Sequence, residues 1–261
     1  MFAFTLDALI ACGAAWTLAL IAQAIASRHR PGSRLWLLGG GLVMGLTSFL
    51  SIGALATGAI VALALLFAAW RERENWIANG VRGLALFAGG FMLAWLLLML
   101  IFPMQPLVIF HNAMDAHRAA TLSHRGFWPW VWLNIVCFAP FCGWPVVTAC
   151  LASLKSKVQS PKPGDQSPQS QDPSPKSEDL NGQTARLIGG ATLAAILLLS
   201  MTGNVRGEVE RLWLFLVPPL CALAAAVIEP SRSTRWLPLL VLQTAQGIFM
   251  AAGLAPLVKP I

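Results

Sequence analysis

Residues 35–70 read LWLLGGGLVMGLTSFLSIGALATGAIVALALLFAAW, an apolar run of 36 residues. A membrane-spanning helix needs only about 20 residues, so one helix of this length would overshoot the hydrocarbon core. A tight hairpin that turns near residues 48–53 divides the run into two spans of about 17 residues each, the lower limit for crossing. Gly41 and Gly45 have the small-xxx-small spacing that lets helix backbones approach closely, and we expect them to pack rather than to bind a ligand.

The overall composition indicates a membrane protein. Hydrophobic residues make up 57% of the 261 residues and charged residues 11%, and the mean hydropathy is +0.68. Such a chain is too apolar for a soluble domain. With the hairpin, the remaining apolar runs predict an all-α, polytopic transmembrane helix bundle of about eight spans; these runs are 2–26, 83–102, 130–151, 187–202, 212–228 and 236–257.

The basic residues predict the orientation of the bundle. With the N-terminus outside, 13 of the 18 Lys and Arg residues lie on the cytoplasmic side, as the positive-inside rule requires. These are Arg28, Arg30, Arg34, Arg71, Arg73, Arg82, Lys155, Lys157, Lys162, Lys176, Arg186, Arg232 and Arg235. The net charge of +7 is therefore a topology signal. We expect no nucleic-acid partner, because the basic residues are dispersed among loop ends and not gathered on one surface.

The composition also divides the chain into two blocks. Residues 153–185 are rich in Pro, Ser, Gln, Lys and Asp and predict a disordered cytoplasmic linker. It separates a transmembrane block of five spans, 1–152, from a block of three spans, 186–261. The five cysteines all fall inside predicted spans without metal-type spacing, so we expect buried thiols and no disulfide.

Polar chemistry concentrates in the predicted outer loop, residues 103–129. The loop holds three of the four histidines, His111, His117 and His124. In a helix, His111, Asp115 and Arg118 fall at i, i+4 and i+7 and share one face. A carboxylate beside an imidazole is an acid/base pair, and two histidines with one carboxylate are a metal ligand set. No HExxH or His-x-His pattern supports a metal, and no ligand set for a divalent cofactor is evident.

Two interpretations of this loop stay open. In the first, His111, Asp115, His117 and Arg118 contact a substrate or a lipid headgroup. In the second, the segment is an interfacial amphipathic helix, with Phe110 and Met114 at the headgroup boundary and its polar face in water. Membrane lipid is a partner under both interpretations.

A charged island, RGEVERLW at residues 206–213, stands between two apolar stretches. Ionised groups at the bilayer are expensive and usually mark a function. Glu208 and Arg211 lie at i and i+3 and can pair on one helical face, while Arg206 precedes the helix and can reach a ligand. Guanidinium groups suit phosphate through two parallel hydrogen bonds. The alternative is that Glu208 and Arg211 only close a salt bridge where the helix begins.

The island carries a resemblance to a known family. The segment Gly207-Glu208-x-x-Arg211-Leu212-Trp213-Leu214-Phe215-Leu216-x-Pro218 resembles the stretch that opens a late membrane span in bacterial GT-C-type glycosyltransferases. Residues 46–54, LTSFLSIGA, and the segment Trp132-Leu133-Asn134-x-x-x-Phe138 followed by Gly143-Trp144-Pro145 are weaker echoes, in the order that the family would have them. These enzymes use polyprenyl-phosphate sugars as donors.

The resemblance implies a site for the donor phosphate, but the acidic outer loop of the family has no match in this sequence. By analogy, Arg206 and Arg211 would bind the donor phosphate and Glu208 would orient Arg211. The family carries acidic residues in the outer loop after its first span, which act as base or hold a divalent metal. Here Asp7 is the nearby carboxylate, and it either caps the first helix or faces a cavity. We therefore expect the sequence to be the later membrane spans of a longer enzyme, from a truncated reading frame or a split protein.

Two functions compete at this point. The first is an integral membrane glycosyltransferase, or a part of one, in a bacterial inner membrane. It moves a sugar from a polyprenyl phosphate to an acceptor on the outer face, and its expected partners include a complementary chain carrying the N-terminal half. The second is a non-catalytic multi-span membrane protein, a transporter component or an assembly partner. No repeat between the two blocks is visible, which weakens the transport interpretation.

Overall fold

A computed structural model of the chain describes residues 2–28, 30, 32–71, 75–102, 105–119, 126–155, 175–202, 216–225, 241–242 and 244–245. These ranges contain helices and turns and no strand, which confirms the predicted all-α class. The helices are α1 (Phe2–Ala26), α2 (Ser33–Leu50), α3 (Leu55–Trp70), α4 (Trp76–Ile101), α5 (Pro106–His117), α6 (Phe127–Cys142), α7 (Trp144–Lys155), α8 (Pro175–Thr202) and α9 (Val217–Ala225). A short 3-10 turn, Ile52–Ala54, joins α2 to α3.

Four helices in the described part of the chain are long and apolar enough to cross a membrane: α1 from Ala8, α2, α4, and α8 from Gly182. The bent pair α6 and α7 would make a fifth span, and α3 is apolar but has only 16 residues. These helices indicate a membrane protein. Of the predicted span at 212–228 only residues 216–225 are described, and of that at 236–257 only 241–242 and 244–245, so the count of eight and the outward N-terminus remain predictions.

The predicted span at 2–26 and the predicted turn near residues 48–53 can be compared directly with the helices. Helix α1 covers the predicted run 2–26, and the long apolar run breaks at residues 51–54, where the hairpin prediction puts the turn. The two halves of the run pack against different partners, however. Helix α2 lies between α1 and α4, whereas α3 packs mainly against α8 and α4 and has little contact with α2.

The α2–α4 interface is the closest helix packing described. A Cβ at Gly45 would lie 2.6 Å from the Cβ of Ala94 and 2.8 Å from the carbonyl oxygen of Phe91. A Cβ at Gly41 would overlap the carbonyl oxygen of Phe87, and one at Gly90 of α4 would overlap a carbonyl of α2 in the same way. Backbone therefore meets backbone, and the predicted small-xxx-small contact is confirmed.

Several polar side chains inside this bundle form hydrogen bonds within their own helix or across the interface, whereas the buried hydroxyls of Thr57 and Ser200 have no such partner among the described residues. The buried Ser48 hydroxyl donates to the carbonyl of Gly45 at 2.8 Å and accepts the indole N–H of Trp95 at 3.1 Å. The ring of Phe49 meets that of Trp95 edge-on, with centroids 6.0 Å apart. In apolar surroundings an unpaired hydroxyl or indole N–H is costly, so this bond fixes the register of α2 against α4.

Three threonine hydroxyls form hydrogen bonds within their own helix. They donate to the carbonyl four residues earlier, which removes an unpaired donor without a partner helix. The pairs are Thr17 with Gly13 at 2.9 Å, Thr47 with Val43 at 2.8 Å and Thr192 with Ile188 at 2.8 Å.

The predicted fifth span, 130–151, is not one continuous helix. Helices α6 and α7 meet at Gly143 with a bend of 102°. Gly143 has φ 95° and ψ 125°, a conformation that side-chain-bearing residues rarely adopt. Pro140 lies one turn earlier inside α6 and lacks the N–H that a regular helix uses. The predicted span is thus divided into two helices, a break that hydropathy alone does not predict because it does not register these backbone constraints.

Helix α8 changes the predicted linker. It begins at Pro175, so residues 175–185 are helical, although their composition predicts disorder up to 185. The structure therefore differs from the predicted linker over these residues, and 156–174 lie outside the described part of the chain. The stretch 182–202 covers the predicted sixth span and is confirmed as a helix of membrane length.

Much of the apolar surface faces away from the bundle. On α4, Leu96, Leu97, Leu100 and Ile101 are all exposed, Leu100 by 83%. An exposed apolar face of this extent on a soluble protein would be an aggregation hazard. In a bilayer the same face contacts acyl chains, which agrees with the length of this helix.

Candidate functional site

The helices define two ends of the bundle. One cavity is lined by Ala24 near the end of α1, Arg34 near the start of α2, Ala69 near the end of α3 and Asn79 near the start of α4. We call this the basic end. Since α4 has 26 residues and rises about 39 Å, its other end and the following α5 lie at the opposite end, which we call the α5 end.

Helices α8 and α9 extend this arrangement to the second block. Arg186, near the start of the apolar part of α8, shares a cavity with Trp70 and Arg71 at the basic end. Helix α8 then runs along α3, so Thr202 lies about 24 Å away, toward the α5 end. Leu223 of α9 packs against Gly189 of α8, one turn from Arg186. Of the two helix ends that flank 203–215 in the sequence, the end of α8 at Thr202 lies toward α5.

The island residues proposed from the sequence cannot be compared with this arrangement. Arg206, Glu208 and Arg211 lie outside the described residues. Their flanks do not: Thr202 ends α8, and Leu216, which is fully buried, immediately precedes α9.

The predicted face of α5 is present. The Nε2 atom of His111 lies 3.3 Å from Oδ2 of Asp115, and the Nη1 atom of Arg118 lies 3.7 Å from Oδ1 of the same carboxylate. Gln105 is extended and Pro106 occupies the first turn, so the helix starts where the chain leaves α4. His117 is two positions from Asp115, a rotation of about 200°, and belongs to another face. The structure thus unites three of the four predicted loop residues.

Exposure sets how strongly these groups interact. The side chains of His111, Asp115 and Arg118 are 75%, 54% and 63% exposed, so water screens both pairs. Helix α5 has no buried residue, and Leu107 is 83% exposed. A short helix with open polar and apolar side chains fits the interfacial interpretation, in which lipid headgroups meet the polar face.

The arrangement can do limited chemistry by itself. Asp115 orients the imidazole of His111 and holds Arg118 beside it, which suits a proton acceptor next to an anion-binding group. Among the described residues, no group of three His, Cys, Asp or Glu side chains could hold a metal ion. The face is therefore an exposed acid/base and cationic cluster, accessible to a ligand.

We expect Asp115→Asn to change stability by less than about 0.5 kcal/mol, because both ion pairs are exposed and screened. The measurement is unfolding of the purified protein in mixed micelles, followed by tryptophan fluorescence. A loss above about 1 kcal/mol would instead mean that the carboxylate is buried against another element. A stable variant makes Asp115 a clean probe of function.

A second group of polar residues, with four arginines among them, lines the cavity at the basic end. The sequence alone indicates only that these arginines lie on the cytoplasmic side. The described residues around this cavity of about 840 Å³ include Arg28, Arg30, Arg34 and Arg82. Asn75 and Asn79 also line it. The spacing of Asn75, Asn79 and Arg82 at i, i+4 and i+7 is the sequence signal that predicts one polar face at the start of α4.

The cysteines do not form a site of this kind. All five lie in described helices and none forms a disulfide. The buried thiol of Cys150 donates to the carbonyl of Leu220 at 3.1 Å, which ties α7 to α9.

No family model matches the chain, and no curated protein or solved structure matches it.

Proposed function

We propose that the chain is, or belongs to, an integral membrane glycosyltransferase of a bacterial inner membrane. It transfers a sugar from a polyprenyl-phosphate donor to an acceptor on the outer face. Arg206 and Arg211 bind the donor phosphate, and Glu208 orients Arg211. The observation that carries the proposal is a convergence: the end of α8 that precedes the island segment lies toward the same end of the bundle as α5.

This convergence gives the charged groups one task. The island supplies two guanidinium groups, and the exposed face of α5 supplies His111, Asp115 and Arg118. A lipid-linked phosphate sits at the depth where helix ends meet the headgroups, and the proposal has both segments meet the donor there. His111 and Asp115 then contact the acceptor or the donor sugar, with Arg118 and His117 beside them.

The resemblance supports the same assignment for the island. In the GT-C-type enzymes the corresponding stretch opens a late membrane span, and here Leu216 is buried directly before α9. The acidic first loop of that family has no counterpart among the described residues, so the proposal gives this chain the donor-phosphate half of a site. A complementary chain or segment supplies the acidic half.

Donor binding tests the proposal without requiring that second half. The full chain is reconstituted in nanodiscs, and binding of polyprenyl phosphate is measured with the wild type, Arg206→Ala and Arg211→Lys. We expect each variant to bind about tenfold more weakly, because an Arg–phosphate hydrogen-bonded pair contributes about 1.5–3 kcal/mol. Arg211→Lys keeps the charge and loses the two-pronged geometry.

Arg71→Ala is the control, because it removes the same charge at the basic end of the bundle. It should bind the probe as the wild type does. Unchanged binding in both island variants would overturn the phosphate role and leave a non-catalytic membrane protein as the better interpretation. An equal loss in Arg71→Ala would show that general positive charge, and not the island, attracts the lipid.

A further inference from the structure

The cavity at the basic end combines charge with an apolar wall. Arg28 and Arg30 follow α1, Arg34 lies in the first turn of α2, and Arg82 lies on the same face of α4 as Asn79. All four arginines are exposed at the mouth of the cavity. Helix side chains such as Ile25, Leu37 and Leu65 line its inner part.

The described residues that line this cavity carry charge of one sign only. Within the set of lining residues that the structure describes, four are arginines and none is acidic. Glu72 and Glu74, between α3 and α4 in the sequence, lie outside the described residues. Like charges gathered around one concave surface repel each other and raise the local concentration of anions. The positive-inside rule accounts for arginines on this side of a membrane, but it does not make residues from three segments converge on one cavity.

The position of the cavity narrows the choice of anion. It lies where four apolar helices begin or end, so in a bilayer it opens at the level of the headgroups. A soluble anion would gain nothing from the leucine and isoleucine side chains of the inner wall. A phospholipid contacts both parts, because its phosphate meets the guanidinium groups and the start of its acyl chains meets the apolar wall.

We propose that this cavity binds the phosphate headgroup of an anionic phospholipid, with Arg34 and Arg82 as the principal ligands from α2 and α4. A bound lipid joins the turn between α1 and α2 to the start of α4. The site is separate from α5, which lies at the other end of the bundle, and includes none of the island residues, so it does not depend on the proposed transferase activity.

Lipid retention in native mass spectrometry tests the proposal. The full chain is purified in mild detergent, exposed to equal amounts of phosphatidylglycerol and phosphatidylcholine, and examined for bound lipid. We expect the wild type to retain phosphatidylglycerol in preference. The double variant Arg34→Gln and Arg82→Gln should bind it about tenfold or more weakly, because it removes two guanidinium–phosphate contacts.

The double variant Arg71→Gln and Arg186→Gln is the charge-matched control. It removes two arginines that line a different cavity at the basic end, and should retain lipid as the wild type does. Equal retention in the Arg34 and Arg82 variant would overturn the proposal, and so would equal losses in both double variants. Tight binding of inorganic pyrophosphate without any preference for phosphatidylglycerol would overturn the lipid assignment.

A variant with Arg34→Lys and Arg82→Lys keeps the charge and guards against a folding failure of the glutamine variant. We expect an intermediate loss, because lysine attracts the phosphate without the two-pronged geometry. If this variant retains phosphatidylglycerol as the wild type does, the contact with the phosphate does not require guanidinium groups. The island variants can lose polyprenyl phosphate binding and still retain phosphatidylglycerol normally. That result would concern the transferase proposal alone.

Discussion

Gly41→Ala will destabilise the protein by about 3 kcal/mol, although it adds a single methyl group. The new Cβ would overlap the carbonyl oxygen of Phe87 and lie 2.8 Å from the backbone nitrogen of Phe91, both on α4. These are backbone atoms inside a helix, so no rotamer change relieves the clash. Helices α2 and α4 must separate, and the packing along the interface is lost with them.

The direction of this change in stability is informative, because helix propensity alone predicts that alanine would stabilise the helix. In an open helix, alanine is favoured over glycine by about 1 kcal/mol. The close approach at Gly41 therefore has to outweigh a gain that the same substitution brings elsewhere. The experiment is unfolding in mixed micelles with increasing dodecyl sulfate, followed by the fluorescence of the protein's 11 tryptophans.

Gly58→Ala is the matched control. Gly58 lies in α3, and a Cβ there would have no neighbour within 4 Å. We expect this variant to be as stable as the wild type or more stable by up to about 1 kcal/mol. If Gly41→Ala behaves like Gly58→Ala, the two helices are not held in contact at this point.

Gly143→Ala will cost about 2 kcal/mol through the backbone itself. Gly143 joins α6 to α7 at φ 95° and ψ 125°, and a Cβ in this conformation clashes with its own backbone. The N–H of Gly143 donates to the carbonyl of Ala139 at 3.0 Å, and its carbonyl accepts the N–H of Val147 at 3.0 Å. Rotation to a favourable conformation would break both bonds and alter the bend of 102°.

Gly126→Ala provides the comparison for this second result. Gly126 precedes α6 with φ −62° and ψ 141°, which any residue adopts, and its nearest Cβ neighbour would be Pro129 at 3.6 Å. We expect a change below about 0.5 kcal/mol. Stability equal to the wild type in Gly143→Ala would mean that α6 and α7 tolerate another angle, so the bend would not be a fixed feature.

Local patterns in the sequence predict local structure well here. The break at residues 51–54 follows from the length of the apolar run, because a bilayer limits how long one helix can be. The His111–Asp115–Arg118 face follows from the helical period. The Gly41 contact follows from residue size, since only glycine and other small residues let two helix backbones meet in lipid.

Features that depend on several segments are not predictable from such patterns. The positive-inside rule assigns Arg34 and Arg82 to one side of the membrane but contains no information on their distance from each other. Hydropathy averages over residues 130–151 and so misses Gly143, although the glycine lies between Pro140 and Pro145 in the printed sequence. The partner choice of α2 and α3 depends on surfaces far apart along the chain.

The direction of α8 limits the path of the chain through the second block. Helix α4 finishes at one end of the bundle and the apolar part of α8 starts beside Arg71 at the other. The intervening chain must therefore change sides an odd number of times. Among the described helices of this intervening chain, α6 and α7 together are long and apolar enough for one span. We therefore expect the elbow at Gly143 to lie within a crossing, in agreement with the predicted span at 130–151.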